Sequence, residues 1–189
     1  MLILASASPR RRELLTQIGL AHTVSPADID ERRHADEDPV AYVRRLAIEK
    51  AQAVHGRNPG ETVLAADTTV VLDGEVLNKP ASPAEAEFML RSVAGRTHQV
   101  HTGIAVTDSA GIHAHVETTI VTFSEILEGD LQTYLRTGDS LDKAGAYGIQ
   151  GYAARWISRI EGDFFNVMGL PLAATLRLLR EAELRAFPG

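Results

Sequence analysis

Strands and helices alternate along this chain of 189 residues, and the alternation predicts a mixed α/β fold. Three observations carry the prediction. Short apolar or β-branched runs recur, notably residues 2–5 and 62–72. Other stretches, notably residues 39–55, place apolar side chains at helical spacing. Glycine, proline and Asp-Gly punctuation separates the two kinds. At this length the chain forms one domain or two small lobes, since domains run about 100–200 residues.

Residues 2–5 read as a short buried strand. Ser8 follows as a helix N-cap with Pro9 at the first helical position, Leu14, Leu15 and Ile18 form the apolar stripe, and Gly19 ends the helix. A second helix starts at Asp38-Pro39 and runs to about His55, with Val43, Leu46, Ala47, Lys50, Ala51 and Val54 on its inner face. Residues 62–72 are β-rich, interrupted by Asp67 and closed by Asp73-Gly74, a dipeptide that favours a two-residue hairpin turn, with residues 75–77 returning. Ser82, Pro83 and Glu85 form a capping box that opens a helix ending before Gly95. Residues 99–106 and 112–123 read as paired strands, and residues 130–136 as a short helix stopped by Gly138. The glycine-rich stretch 143–151 is neither regular helix nor strand and reads as a binding loop. Residues 156–160 and 164–168 read as a last strand pair around Gly162, before a C-terminal helix with Pro171 in its first turn and Leu172, Leu176 and Leu179 facing inward.

Composition limits the function. Hydrophobic residues make up 44% and charged residues 23%, far from a disordered chain, and the net charge of −6 argues against a general nucleic-acid binder. No cysteine is present, which removes disulfides, thiolate nucleophiles and zinc–thiolate sites and fits a reducing cytoplasm. The five residues before Ser6 are too few for a signal peptide, and no run approaches about 18 apolar residues, so neither export by that route nor a membrane span is expected.

Arg10, Arg11 and Arg12 stand in the opening turn of the first helix, where the macrodipole already disfavours cations. Such a break of a local rule suits a phosphate cradle, in which arginine forks join backbone N–H donors and Ser6 and Ser8 flank the turn; a solvated basic turn is the plainer alternative. Successive helical positions point about 100° apart, so not all three arginines face one ligand. Asp67 is a second anomaly, because a carboxylate within an apolar strand needs a cation, a metal or several hydrogen bonds, unless it ends the strand and caps a turn. Glu31, in an acidic run that is otherwise a solvated loop, would complete a carboxylate pair for a hard cation. Lys50 points inward from its helix toward a cleft or an acidic partner. Lys79, held by Pro80, either reaches a phosphate or is a surface lysine. His98, His101, His113 and His115 do not make a convincing zinc site, since His98 and His101 point to opposite faces of a strand, and they read as partly exposed sheet residues.

Read in order, Leu4-Ala5-Ser6-Ala7-Ser8-Pro9-Arg10-Arg11, Glu31, Lys50-Ala51, Ala66-Asp67-Thr68, Lys79-Pro80, Lys143-Ala144-Gly145-Ala146-Tyr147-Gly148-Ile149-Gln150-Gly151 and Gly169-Leu170-Pro171 closely resemble the Maf family of nucleotide pyrophosphatases over nearly the whole chain. The resemblance implies a single Maf-type domain over residues 1–189, with a mixed, twisted sheet, flanking helices and two lobes around a central groove, as in ITPase-like folds. It further implies a homodimer that hydrolyses a nucleoside triphosphate to monophosphate and pyrophosphate, with Asp67 as proton acceptor. The loop resembles the subfamily acting on dTTP and UTP, in which the positions of Arg10, Thr68 and Gln150 are associated with base choice. Family members are also associated with septum formation and arrest of cell division.

The Gln150 carboxamide offers one donor and one acceptor, which match the N–H and carbonyl of uracil or thymine; turned over, it also meets cytosine. The expected mechanism places Mg²⁺ or Mn²⁺ on Asp67 and Glu31 and lets Asp67 activate a water against the α-phosphorus. Arg11 or Arg12, Lys50 and Lys79 offset the phosphate charge. Two other readings are a non-catalytic nucleotide-binding regulator of cell division and a phosphatase releasing orthophosphate from the γ position.

Overall fold

The computed structural model describes residues 1–182. Its elements in chain order are β1 (Leu2–Leu4), α1 (Pro9–Gln17), β2 (Thr23–Val24), α2 (Pro39–His55), β3 (Thr62–Leu72), β4 (Glu75–Leu77), α3 (Pro83–Val93), β5 (Thr97–Asp108), β6 (Gly111–Phe123), α4 (Glu128–Thr137), β7 (Ile157–Glu161), α5 (Phe164–Met168) and α6 (Leu172–Glu181). The strands form a mixed sheet in the order β2-β1-β3-β5-β6-β7, with β4 pairing β3. This is the mixed α/β class that the alternating pattern predicts.

Local chemistry explains most boundaries. Gly19 takes a positive φ after α1, and the Leu20 N–H closes back on the Leu15 carbonyl at 3.0 Å. Asp38 caps α2, its Oδ1 accepting from the N–H groups of Val40 and Ala41 at 2.9 and 3.1 Å. The Asp73-Gly74 turn has positive φ at both residues, and β4 returns antiparallel with Val71 opposite Val76. Ser82 caps α3 through the Glu85 N–H, but Glu85 reaches the Ala81 N–H rather than that of Ser82, so the capping box is shifted by one residue.

Four sequence expectations are corrected. Ser8 holds the N-cap position of α1, yet its hydroxyl makes no capping bond. Residues 164–168 form α5 rather than a strand, because Asp163 caps them: its Oδ1 accepts from the N–H groups of Phe165 and Asn166 at 2.6 and 3.1 Å. The aromatic run suggested a strand, and the cap overrides it. In α6 the buried face includes Thr175 and Leu178, while Leu176 is half-buried. His98 and His101 are buried at 2% and 4% exposure, not partly exposed.

The chain divides into two compact units. Unit 1 comprises residues 1–67, 102–117 and 169–182 of the described chain, and unit 2 residues 68–101 and 118–168. In unit 1, β1 lies parallel to both β2 and the first half of β3, with Ile3 opposite Thr23 and Val63. Its core includes Ile3, Ala5, Ala47, Ala51, Val54, Val63, Ala65 and Ala105. These small side chains let α2 approach the sheet so closely that a Cβ built on Gly103 would stand 2.3 Å from the Val43 carbonyl oxygen. The unit 2 core is larger-grained and aromatic, with Phe123, Tyr134, Tyr147 and Trp156 among Val70, Leu72, Leu90 and Val121.

Candidate active site

β1 ends at Leu4 and the chain turns through Ser6 into α1. Ser6 is buried, and its Oγ accepts from the Ser8 N–H at 3.2 Å and from Arg11 Nη1 at 3.1 Å. Arg11 Nε donates to the Gly169 carbonyl at 2.8 Å, so this one arginine ties the turn to the start of the C-terminal segment. Arg12 is exposed and Arg10 half-buried. The helix start has no side-chain cap and no acidic residue in its first turn, so the macrodipole and the arginines both leave positive charge there. Arg11 therefore has a structural part in the turn.

Asp67 sits inside β3 and does not end a strand, which disposes of the turn-capping alternative. It is 8% exposed, as is Lys50 on the inner face of α2. The Lys50 ammonium stands 2.6 Å from Asp67 Oδ1 and 3.0 Å from Glu31 Oε1. One cation thus gathers the two carboxylates that the sequence singles out, although they lie on different segments. Burial pushes the Asp67 carboxyl above the ordinary aspartate range, and the positive charges of Lys50 and Arg11 pull against that push. Burial likewise lowers Arg11, with the negative charge of Asp67 opposing. Desolvation and two neighbouring cations thus act in opposition on one carboxyl inside a strand.

Glu31 is mostly exposed, and its position is set by residues that the sequence reading did not single out. The Tyr42 hydroxyl donates to the Glu31 carbonyl at 2.8 Å. Arg45 grips both oxygens of Glu37 at 2.6 and 2.8 Å, reaches the Arg32 carbonyl at 3.1 Å, and holds Glu37 down to about 2. Tyr42, Arg45 and Glu49 recur at helical spacing on α2, a polar stripe beside the apolar one, and that pattern was the available signal.

Thr68, Lys79 and Gln150 belong to unit 2. Thr68 is half-buried, whereas Lys79 and Gln150 are exposed. Asn78 organises this set, because its Oδ1 accepts from Thr69 Oγ1 at 3.2 Å and its carbonyl accepts from the Gly145 N–H at 3.3 Å. The strand after Thr68, the segment leading to Lys79 and the glycine-rich loop therefore meet at one residue. Within the loop, Gly145 and Ala146 both take positive φ, and a Cβ on Gly145 would stand 2.8 Å from Val70 Cγ2, so glycine is required there on two counts. Lys143 is fastened to the Asp139 carbonyl and to Asp142, each at 2.6 Å.

Among the described residues no group of three or more His, Cys, Asp or Glu is placed to hold a metal. Glu31 and Asp67 would offer a divalent cation two hard carboxylate donors, on the oxygens that the Lys50 ammonium contacts. That donor set fits Mg²⁺ or Mn²⁺, which commonly use one or two carboxylates and take the rest from water and phosphate oxygens.

The family model described as Maf-like protein matches residues 1–182. The chain belongs to that family. Similar curated proteins include the dTTP/UTP pyrophosphatase of Symbiobacterium thermophilum, 50% identical over 189 residues with 100% of this chain and 97% of that one covered. The dTTP/UTP pyrophosphatase of Myxococcus xanthus is 52% identical over 186 residues, covering 97% and 93%. A solved structure of the Staphylococcus aureus Ham1 protein is 16% identical with a TM-score of 0.47, covering 65% of this Maf-like protein and 71% of that chain, a likeness too low to decide anything.

Proposed function

We propose that this Maf-like protein is a nucleoside triphosphate pyrophosphatase that hydrolyses dTTP and UTP to the monophosphate and pyrophosphate. The observation that carries the reading is the buried Lys50–Asp67 pair, with Glu31 on the same ammonium and Arg11 in the neighbouring turn. Relatives that are about half identical over the full chain and bear the name dTTP/UTP pyrophosphatase support it.

In this reading Asp67 accepts the proton of the water that attacks the α-phosphorus, a task suited to a carboxylate raised above its ordinary range. Lys50 keeps Asp67 ionised and aimed. The α1 start, with Ser6, Ser8 and Arg10 to Arg12 around it, offers N–H donors and positive charge to the phosphates, and Lys79 adds a further cation. Glu31 and Asp67 would hold Mg²⁺ or Mn²⁺, which when bound neutralises phosphate charge and polarises the reacting centre. Gln150, with Thr68 and Arg10, selects the pyrimidine base. We further propose a cytoplasmic homodimer; among the described residues no helix is long and apolar enough to cross a membrane.

The test is incubation of the purified protein with dTTP, UTP, CTP and GTP and Mg²⁺. Release of pyrophosphate, fastest from dTTP and UTP, is the expected result. Orthophosphate would make it a γ-phosphatase instead, and tight binding without turnover would make it a regulator of the kind linked to cell division and septum formation. Light scattering at several concentrations checks the dimer.

A further inference from the structure

His98 takes no part in the chemistry above, yet it is among the most buried polar residues of unit 2 at 2% exposure. It stands on β5, and its Nε2 lies 2.6 Å from the hydroxyl of Tyr147. Tyr147 belongs to the glycine-rich loop, three residues before Gln150. The two rings meet edge to face at 5.4 Å, and Phe123 packs edge-on against both, at 5.1 Å from His98 and 4.8 Å from Tyr147. Immediately before Tyr147 the backbone is held at φ 69° in Gly145 and 63° in Ala146, and the second of these is costly for a residue with a side chain. A loop in that conformation persists only if its surroundings hold it. One backbone anchor is the Gly145 N–H on the Asn78 carbonyl, at the first residue of the pair, and the buried His98 bond is a side-chain anchor just after the pair.

An apolar ring would fill the place of His98 at less cost. His98 Nδ1 is buried with no hydrogen-bond partner among the described residues, so the imidazole accepts a desolvation penalty for a single bond. Burial also keeps the ring neutral, lowering it to about 4. A polar group kept at such cost for one partner is there for what that partner holds. We infer that His98 is a positioning residue for base selection, its buried bond to Tyr147 fixing the loop that presents Gln150. This rests on the reading of Gln150 as the residue that reads the base.

Three single variants and one double test it, each assayed for kcat and KM with UTP and CTP and for melting temperature. Tyr147→Phe removes the hydroxyl and leaves the ring packing, and His98→Phe removes both ring nitrogens. Each is expected to lower the UTP-over-CTP preference in kcat/KM by about fivefold through KM, the loss of one hydrogen bond's worth of preorganisation, with kcat for UTP nearly unchanged. The double variant is expected to be no worse than either single, since both remove the same bond. A merely structural role would lower the melting temperature and the active fraction for both substrates alike, leaving their ratio as in the parent, and that result would overturn the assignment. Additive losses in the double variant would overturn it too. Gln150→Ala separates the two levels. If it alters the preference while the His98 and Tyr147 variants do not, the role of His98 fails alone; if Gln150→Ala itself leaves the preference intact, the reading of Gln150 fails and takes this inference with it.

Discussion

In unit 1 the groups proposed for chemistry centre on a buried charge pair, Lys50 on Asp67, with the more exposed Glu31 on the same ammonium and Arg11 on Ser6 and the Gly169 carbonyl. In unit 2 the groups proposed for recognition are the half-buried Thr68 and the exposed Gln150, and what is buried near them is neutral: the His98–Tyr147 bond and the Phe123–Tyr147–Trp156 aromatic packing. A buried charge changes its proton affinity when its partner changes, so under the proposed reading unit 1 is where rate and pH dependence are sensitive. A neutral anchor near an exposed reader changes only where that reader points, so under the proposed reading unit 2 is where selectivity is sensitive.

That contrast can be broken most directly at Asp67. Asp67→Asn keeps the shape and removes the proton acceptor, and turnover is expected to fall on the order of a thousandfold while nucleotide binding persists. Near-parental turnover would take Asp67 out of the reaction and leave the two units alike.

Lys50→Met comes next. With the cation gone, desolvation of Asp67 is unopposed by its nearest positive charge, so its carboxyl rises further above the ordinary range. Asp67 works as a base only when ionised, so the acid limb of the kcat/KM profile should move to higher pH, and turnover at neutral pH should drop about a hundredfold. An unmoved acid limb would mean that a different group controls it.

A third variant sharpens the comparison at the scaffold. Gly103→Ala in β5 drives a methyl onto the Val43 carbonyl, a backbone atom that cannot step aside, and should cost unit 1 more than about 2 kcal/mol in denaturant unfolding. If stability is unchanged, α2 is not pressed against β5 as described.

The smallest expected effect is on pH-dependent stability through His98. Its folded value of about 4 lies below the unfolded value near 6.5, so between these the unfolded chain binds the extra proton and stability falls as the pH is lowered. The contribution is fully present above about 6.5, and about 2 kcal/mol of it is lost by pH 5. Denaturant titrations of the parent and His98→Phe at pH 7.5 and 5 isolate it. A parent and variant with the same pH slope would show that the ring is not buried neutral.

Much of the fold was legible because its signals are local. Asp38-Pro39, Asp73-Gly74, Gly19 and Gly138 mark ends through contacts within a few residues, and the structure uses each of them as a cap or turn. The Phe164–Met168 helix was misread because five residues show no period, and the Asp163 cap that decides it competes with strand-favouring aromatics. The two-residue β2 carries no pattern at all and exists because Thr23 and Val24 lie beside Ile3 and Leu4. At the candidate site, Asp67 and Lys50 stood out as a carboxylate in an apolar strand and a lysine on an apolar helix face. Tyr42, Arg45, Asn78 and His98 did not, because each acts through a partner that the sequence does not show.

By itself, then, the sequence determined most of the strands and helices, β2 and α5 excepted, and the chemical set at hand: arginines at a helix start, an acid in a strand, a lysine facing inward and a glycine-rich loop. Periodicity, caps and turn dipeptides act over one or two turns of chain, so they can be read from the residues alone. Only the tertiary structure decided that Lys50 meets Asp67, 17 residues away, together with Glu31, and that Arg11 spans to Gly169, 158 residues away. It also decided that His98 goes inside. The energy of a buried charge or a buried bond exists only once packing has excluded water, and that packing joins residues far apart in the chain.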